Sequence, residues 1–153
     1  AGSFELFKAG KPVIVNCGTY AYQCKERSFF RSTAAHNTVM VNDTEQSQCW
    51  GAFRMAKRAQ IHVLDFSPNS ISMEITDYKK NKVKRTIQMG SDGITLIDVS
   101  QGNHLENYFH FNIDNIDIIR IYTNGKLKTN KTLYSEEYGQ ALTWTAIRRN
   151  YEY

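Results

Sequence analysis

The feature that most narrows the fold of this chain is a two-residue alternation that keeps restarting. Ile71, Met73 and Ile75 fall on one side of an extended segment, with Ser72, Glu74 and Thr76 on the other. That is the signature of a strand with one buried face. Phe4 and Leu6 alternate in the same way with Ser3 and Glu5, and Ala9-Gly10-Lys11-Pro12 turns the chain into Val13-Ile14-Val15. Further strands are expected over 37–42, 53–66 (one long strand or two), 83–89, 94–99, 105–113, 116–123, 126–133 and 141–148. Ser91-Asp92-Gly93 and Asn124-Gly125 have the composition of tight turns. Turn signals come about every ten residues, and no run of about a dozen carries a helical stripe. The pattern predicts an all-β chain: one antiparallel β-sandwich of about ten strands, with no linker or internal repeat across residues 1–153.

Composition supports that class and excludes others. Nine Tyr, eight Phe and two Trp suit strands. The chain is 41% hydrophobic and 22% charged, the balance of a globular domain rather than a disordered one. No apolar run approaches a membrane span, which needs about 20 residues. A net charge of +4 permits an acidic partner without naming it. No nucleic-acid-binding motif is present, and Lys79-Lys80-Asn81-Lys82 is expected to be a solvated turn. Cys17, Cys24 and Cys49 form no C-x-x-C pair. A bridge between Cys17 and Cys24 fits the spacing, but free thiols are the expected state. The absence of an initiator Met suggests that Ala1 lies inside a longer or processed gene product. The one long irregular stretch, 17–35, is rich in Gly, Tyr, Cys, Arg and Ser. In a strand-dense chain such a loop is more often functional than idle.

Several motifs in order then point to a family. Arg31-Ser32-Thr33-Ala34-Ala35-His36-Asn37-Thr38-Val39, then Gln46-Ser47 and Trp50-Gly51-Ala52-Phe53-Arg54, resemble the signature of heparinase II/III-like polysaccharide lyases. Gly2-Ser3-Phe4-Glu5-Leu6 and the run from Gly10 to Tyr20 resemble the strands before that signature, and 85–87, 94–98 and His110-Phe111 the later ones. The likeness is dense over 2–59 and thin beyond about 112. It implies the C-terminal β-sandwich of an enzyme whose helical toroid precedes it, with the active site between the two. It further implies β-elimination on uronic-acid polysaccharide, and a place in the periplasm or outside the cell.

The family's chemistry sets the candidate residues. β-Elimination needs the uronate carboxylate neutralised, a base for the C5 proton and an acid for the leaving oxygen. The resemblance puts several of these groups on the toroid, so the chain alone is expected to be inactive. His36 and Tyr22 are the candidate catalytic residues. Tyr20, Arg27 and Arg31 are candidates for substrate binding, since guanidinium groups grip carboxylates bidentately. A plain structural role is the competing expectation for each, with Trp50 anchoring the sandwich and Asn37 and Thr38 tying the loop together. The equivalent of His36 binds zinc in the lyases, with an aspartate that corresponds to Asn16 here and a histidine upstream of Ala1. An amide oxygen is a poor zinc ligand. No cofactor is therefore expected in the chain alone, and zinc is left open for a longer protein. His62, His104 and His110 have no metal-ligand partners at a recognisable spacing. The expected partners are an acidic polysaccharide and the chain's own helical domain. The second class of function left open is a non-catalytic carbohydrate-binding or assembly module of an exopolysaccharide system.

Overall fold

The computed structural model describes residues 1–91, 93–101, 104–112, 114, 126–134 and 142–151. Within them the chain is built from strands, as the alternation predicts. The first pair is β1 (Leu6–Lys8) with β2 (Lys11–Ile14). A single helical turn, α1 (Arg27–Phe30), and a 3₁₀ turn over Thr33–Ala35 lead into β3 (Val39–Val41). Two short strands, β4 (Cys49–Trp50) and β5 (Arg54–Met55), pair with each other. Then come β6 (Gln60–Ser67), β7 (Ser70–Thr76), β8 (Lys82–Met89), β9 (Ile94–Val99), β10 (Leu105–His110), β11 (Lys126–Tyr134) and β12 (Leu142–Tyr151). The expected strand over 116–123, the Asn124-Gly125 turn and Asp92 lie outside the described residues.

Two four-stranded sheets carry the architecture. One is ordered β6-β7-β8-β9 and the other β11-β12-β10-β3. Ladder registers place Met73 opposite Arg85 and Ile75 opposite Val83, so these side chains share the inner face. They meet Val39, Val41 and Leu105 from the second sheet in the main apolar core. A second cluster joins Val13, Ile14 and Phe111, with Phe4, Leu6, Ile94 and Phe109 against it. The layers are held by apolar side chains from both inner faces, as in a sandwich.

An ion pair sits inside that core. Arg85 is fully buried at an inward position between Val83 and Ile87. Its Nε and Nη2 donate to the two carboxylate oxygens of its cross-strand partner Asp98, at 2.8 and 2.9 Å. Nη1 donates to the Gly2 and Asn37 carbonyls at 2.9 and 3.1 Å, and Nη2 also donates to Asn107 Oδ1. Gly2 can present its carbonyl there only without a side chain. Its φ is +62°, and a Cβ would fall 2.4 Å from Ile75 Cδ1. The Gly-Ser-Phe segment is thereby tied to β8, β9 and β10 at once.

The turns behave as their composition requires. Asp77 closes the turn before β8: its Oδ1 accepts the Lys79 and Asn81 amides at 2.7 and 2.9 Å, leaving Lys79 and Lys80 in solvent. Asn42 and Asp43, at φ +49° and +52°, form the two-residue turn that returns Val41 to Thr44. At the edge of its sheet, every residue of β6 is exposed, including Ile61, Val63, Leu64 and Phe66. Trp50, expected as an anchor, is 47% exposed on the short β4 strand, because a two-residue pair has no sheet behind it to bury an indole. No described helix is long and apolar enough to cross a membrane.

Candidate functional site

The His36 loop is fixed from beneath by Asn37. That buried amide donates to the Phe4 and Val15 carbonyls at 2.9 and 3.0 Å, while its oxygen accepts the His110 backbone N–H at 2.8 Å. Thr38 Oγ1 donates to the Ala1 carbonyl and accepts from Gln46 Nε2 at 3.0 Å. Glu45 takes both the amide and the hydroxyl of Thr33 at 2.6 Å. These contacts join the start of the chain, β2 and β10 around one imidazole, and Asn37 and Thr38 tie the loop as expected.

His36 itself is half-buried and meets Asn16: Nδ1 lies 3.3 Å from Oδ1. The amide's orientation follows from its other contacts. Ser3 donates its hydroxyl to Oδ1 at 2.8 Å, and Nδ2 donates to the Glu5 carboxylate at 2.8 Å. Oδ1 is therefore an acceptor, so the His36 proton belongs on Nδ1 and the lone pair on Nε2. Burial lowers the His36 pKa below its usual 6.5, against the opposing pull of Glu45. The result is a neutral, oriented imidazole whose Nε2 can accept a proton.

The same contacts decide how well the site suits zinc. Among the described residues, His36 is the single strong ligand here, and its Nδ1 is committed to a neutral amide oxygen. Glu5, the nearest carboxylate in this network, is bonded to the amide nitrogen. This donor set does not fit a zinc centre, which is typically built from three or four Cys, His or carboxylate ligands.

Below His36 lies a second histidine. His110 is 1% exposed, with Nδ1 3.1 Å from Asn37 Oδ1 and no hydrogen-bond partner for Nε2 among the described residues. Burial, reinforced by repulsion from His36 whenever that ring is protonated, lowers its pKa to about 4, with the Ala34 backbone pulling the other way. Alternation places His110 with Tyr108 rather than with Phe109. It expects that face to be solvated or at the rim, whereas the His36 loop reaches it through Asn37 and the ring is buried.

The other predicted residues collect on the 20–31 loop. Tyr22 is exposed, with its ring 5.5 Å from that of Phe53 and the Arg27 guanidinium 5.1 Å above it. Arg27 Nε donates to the Ala52 carbonyl at 3.2 Å. Arg31 donates to the Gly51 and Arg54 carbonyls at 2.6 and 2.9 Å. Both arginines thus brace the β4–β5 hairpin. Tyr20 packs on Phe30 at 6.3 Å beside the small core of Cys17, Phe30 and Ala35. Tyr22, Lys25, Arg27 and Ala52 help line a shallow cleft of about 230 Å³. All three cysteines are free. The structure brings His36 and Asn16 together, and separately Tyr22, Arg27 and Arg31.

The alternation missed Arg85, Asp98, Asn107 and the carboxylate of Glu106, although a signal was present. Arg85 and Asp98 occupy inward positions in strands whose other inward residues are apolar, the mark of a buried ion pair. His104 also has neighbours that no local spacing records. Asp43, 61 residues earlier, and Glu106 lie beside it, with ligand atoms all within 4.8 Å of one another.

Comparison with known proteins agrees with this architecture. Heparan sulfate lyase HepC from Pedobacter heparinus matches with a TM-score of 0.67 and 16% identity, over 98% of this chain and 27% of that one. A heparinase III structure with methylated lysines matches with a TM-score of 0.71 and 14% identity, over 99% of this chain and 27% of that one. The chain thus spans about a quarter of the length of either. No curated protein sequence matches it. The profile described as "Heparinase II/III-like, C-terminal" matches residues 1–147, and the chain belongs to that family.

Proposed function

We propose that this chain is the β-sandwich wall of a lyase that cleaves uronic-acid polysaccharide by β-elimination, with its remaining catalytic groups on a preceding helical domain. Family membership over 1–147 is the observation that carries this reading. It is supported by fold similarity to a heparan sulfate lyase of which this chain covers 27%. In the reaction a base removes the C5 proton, the C4–O4 bond breaks as C4=C5 forms, and an acid protonates the departing O4. His36, neutral at pH 7 and held by Asn16, is suited to exchange that proton through Nε2. Tyr22 presents a second proton-transfer group, with Tyr20, Arg27 and Arg31 along the same wall. A polymeric substrate of this kind supports a location in the periplasm or outside the cell.

The test is the absorbance of the unsaturated uronate product, followed with heparan sulfate, heparin, alginate and hyaluronan. In the longer protein, His36→Ala is expected to lower kcat by at least about a hundredfold, the usual worth of a general acid or base. Unchanged turnover in that variant would remove His36 from the chemistry. A second reading, a carbohydrate-binding module without catalysis, is favoured by the neutral Asn16 and by arginines already engaged with backbone carbonyls. Polysaccharide binding without product from the longer protein would select it.

A further inference from the structure

We propose that Asp43, His104 and Glu106 form a binding site for a small divalent cation of the zinc type, which clips the Asn42-Asp43 turn to the head of β10. One ligand atom from each residue lies within 4.8 Å of the other two. His104 Nε2 and Glu106 Oε1 are 3.3 Å apart. Two ligands of a tetrahedral ion with bonds of about 2.0–2.1 Å stand about 3.3–3.4 Å from each other, so this pair already has the edge length of such a shell.

Contacts outside the trio fix the His104 backbone and the Glu106 carboxylate. The Asn42 amide donates to the His104 carbonyl at 2.9 Å, and the His104 amide donates to Asn42 Oδ1 at 3.0 Å, which extends the β3–β10 ladder by one residue. Glu106 lies on β10 opposite Met40 and is only 2% exposed. The Tyr108 hydroxyl donates to its Oε2 at 2.6 Å, which leaves Oε1 turned towards His104. Asp43 arrives from the two-residue turn. Ligands oriented by second contacts of this kind are characteristic of metal centres.

Donor type selects the ion. Two carboxylate oxygens and one imidazole nitrogen converge, a mixed donor set that favours a divalent cation with affinity for nitrogen. Calcium takes six to eight oxygens and magnesium holds to an octahedron of oxygens. One nitrogen and two oxygens, with a fourth position for water, suit zinc. The site is distinct from the His36 loop. His110 abuts that loop and stands five residues along β10 from Leu105, roughly 17 Å in extended chain.

The experiment is calorimetric titration of the 153-residue chain, stripped with EDTA and dialysed, with zinc chloride and separately with calcium and magnesium chloride. One zinc per chain is expected, bound more tightly than either other ion, with a rise in the thermal midpoint that EDTA reverses. Asp43→Asn, an exposed position whose fold is checked by circular dichroism, and His104→Gln are each expected to weaken zinc binding by at least about tenfold. His36→Ala is expected to leave the stoichiometry at one. The proposal is overturned if zinc does not saturate the chain, if calcium or magnesium binds more tightly, or if saturable zinc binding survives both Asp43→Asn and His104→Gln.

Discussion

A guanidinium taken wholly out of water is tolerable only if nearly every N–H finds an acceptor, and Arg85 meets that condition. Two of its acceptors are the carboxylate oxygens of Asp98, and the others belong to Gly2, Asn37 and Asn107. Arg85→Ala would leave Asp98 charged and buried, so it is expected to cost about 3–5 kcal/mol in urea unfolding. Arg85→Met combined with Asp98→Leu is expected to recover most of that loss, which a simple packing defect would not do. His110 makes a second residue-level prediction. Its folded pKa of about 4 lies below the ordinary 6.5, so between those values the unfolded chain binds more protons. Stability is therefore present above pH 6.5, falls by about 3 kcal/mol as pH drops to 4, and levels off below that. His110→Gln is expected to flatten that part of the curve. An unchanged pH slope in thermal unfolding would show that His110 does not titrate there.

Among the elements, the 17–35 loop departs most from the regular sheets, yet it is pinned to the short hairpin beyond it. Arg31 spans from the end of α1 to the Gly51 and Arg54 carbonyls, and Arg27 reaches Ala52. Arg31→Ala is expected to raise amide hydrogen exchange across 49–55 by roughly tenfold while the β7 and β8 amides stay protected. Equal loosening of those strands would deny the loop this local role. The strands of the β6-β7-β8-β9 sheet could be read from Ile71, Met73 and Ile75 because a one-sided core imposes a period of two. The segment 53–66 resolved into β5 and β6, and β4 went unseen, because two-residue strands are too short to alternate. In the site, His36, Tyr22 and the arginines were legible as residue types. Their partners were not, since Asn16 with His36, or Asp43 with His104, meet only through tertiary pairing that no local spacing records. Asn16 shows this best: the sequence marks it as a weak metal ligand, and the structure shows an amide orienting an imidazole.

Taken as a whole, the chain is, under the proposed function, one wall of a cleft rather than a closed site. The cleft beside Tyr22 and Arg27 is shallow, and His36 has no second acid or base in its described hydrogen-bond network other than Glu5, one contact removed through Asn16. The purified 153-residue chain is expected to give no detectable unsaturated uronate from any of the four polysaccharides, since β-elimination requires base, acid and carboxylate neutraliser to converge on one sugar. Turnover by this chain alone, lost in His36→Ala, would refute that. The β6 edge carries a different consequence, one for handling the protein in a tube. Ile61, Val63 and Phe66 share the face that elsewhere packs the core, and on β6 they meet solvent. A strand edge of this kind offers a row of backbone hydrogen-bonding groups to any neighbour, and the register break at Leu64 is a partial safeguard. Colloidal stability, more than folding stability, will then govern the concentration at which the chain stays dispersed. Light scattering should rise with concentration well below the thermal midpoint, and Phe66→Lys should suppress that rise without shifting the midpoint by more than a degree or two, because a 74% exposed side chain contributes little to the fold but much to the contact between molecules.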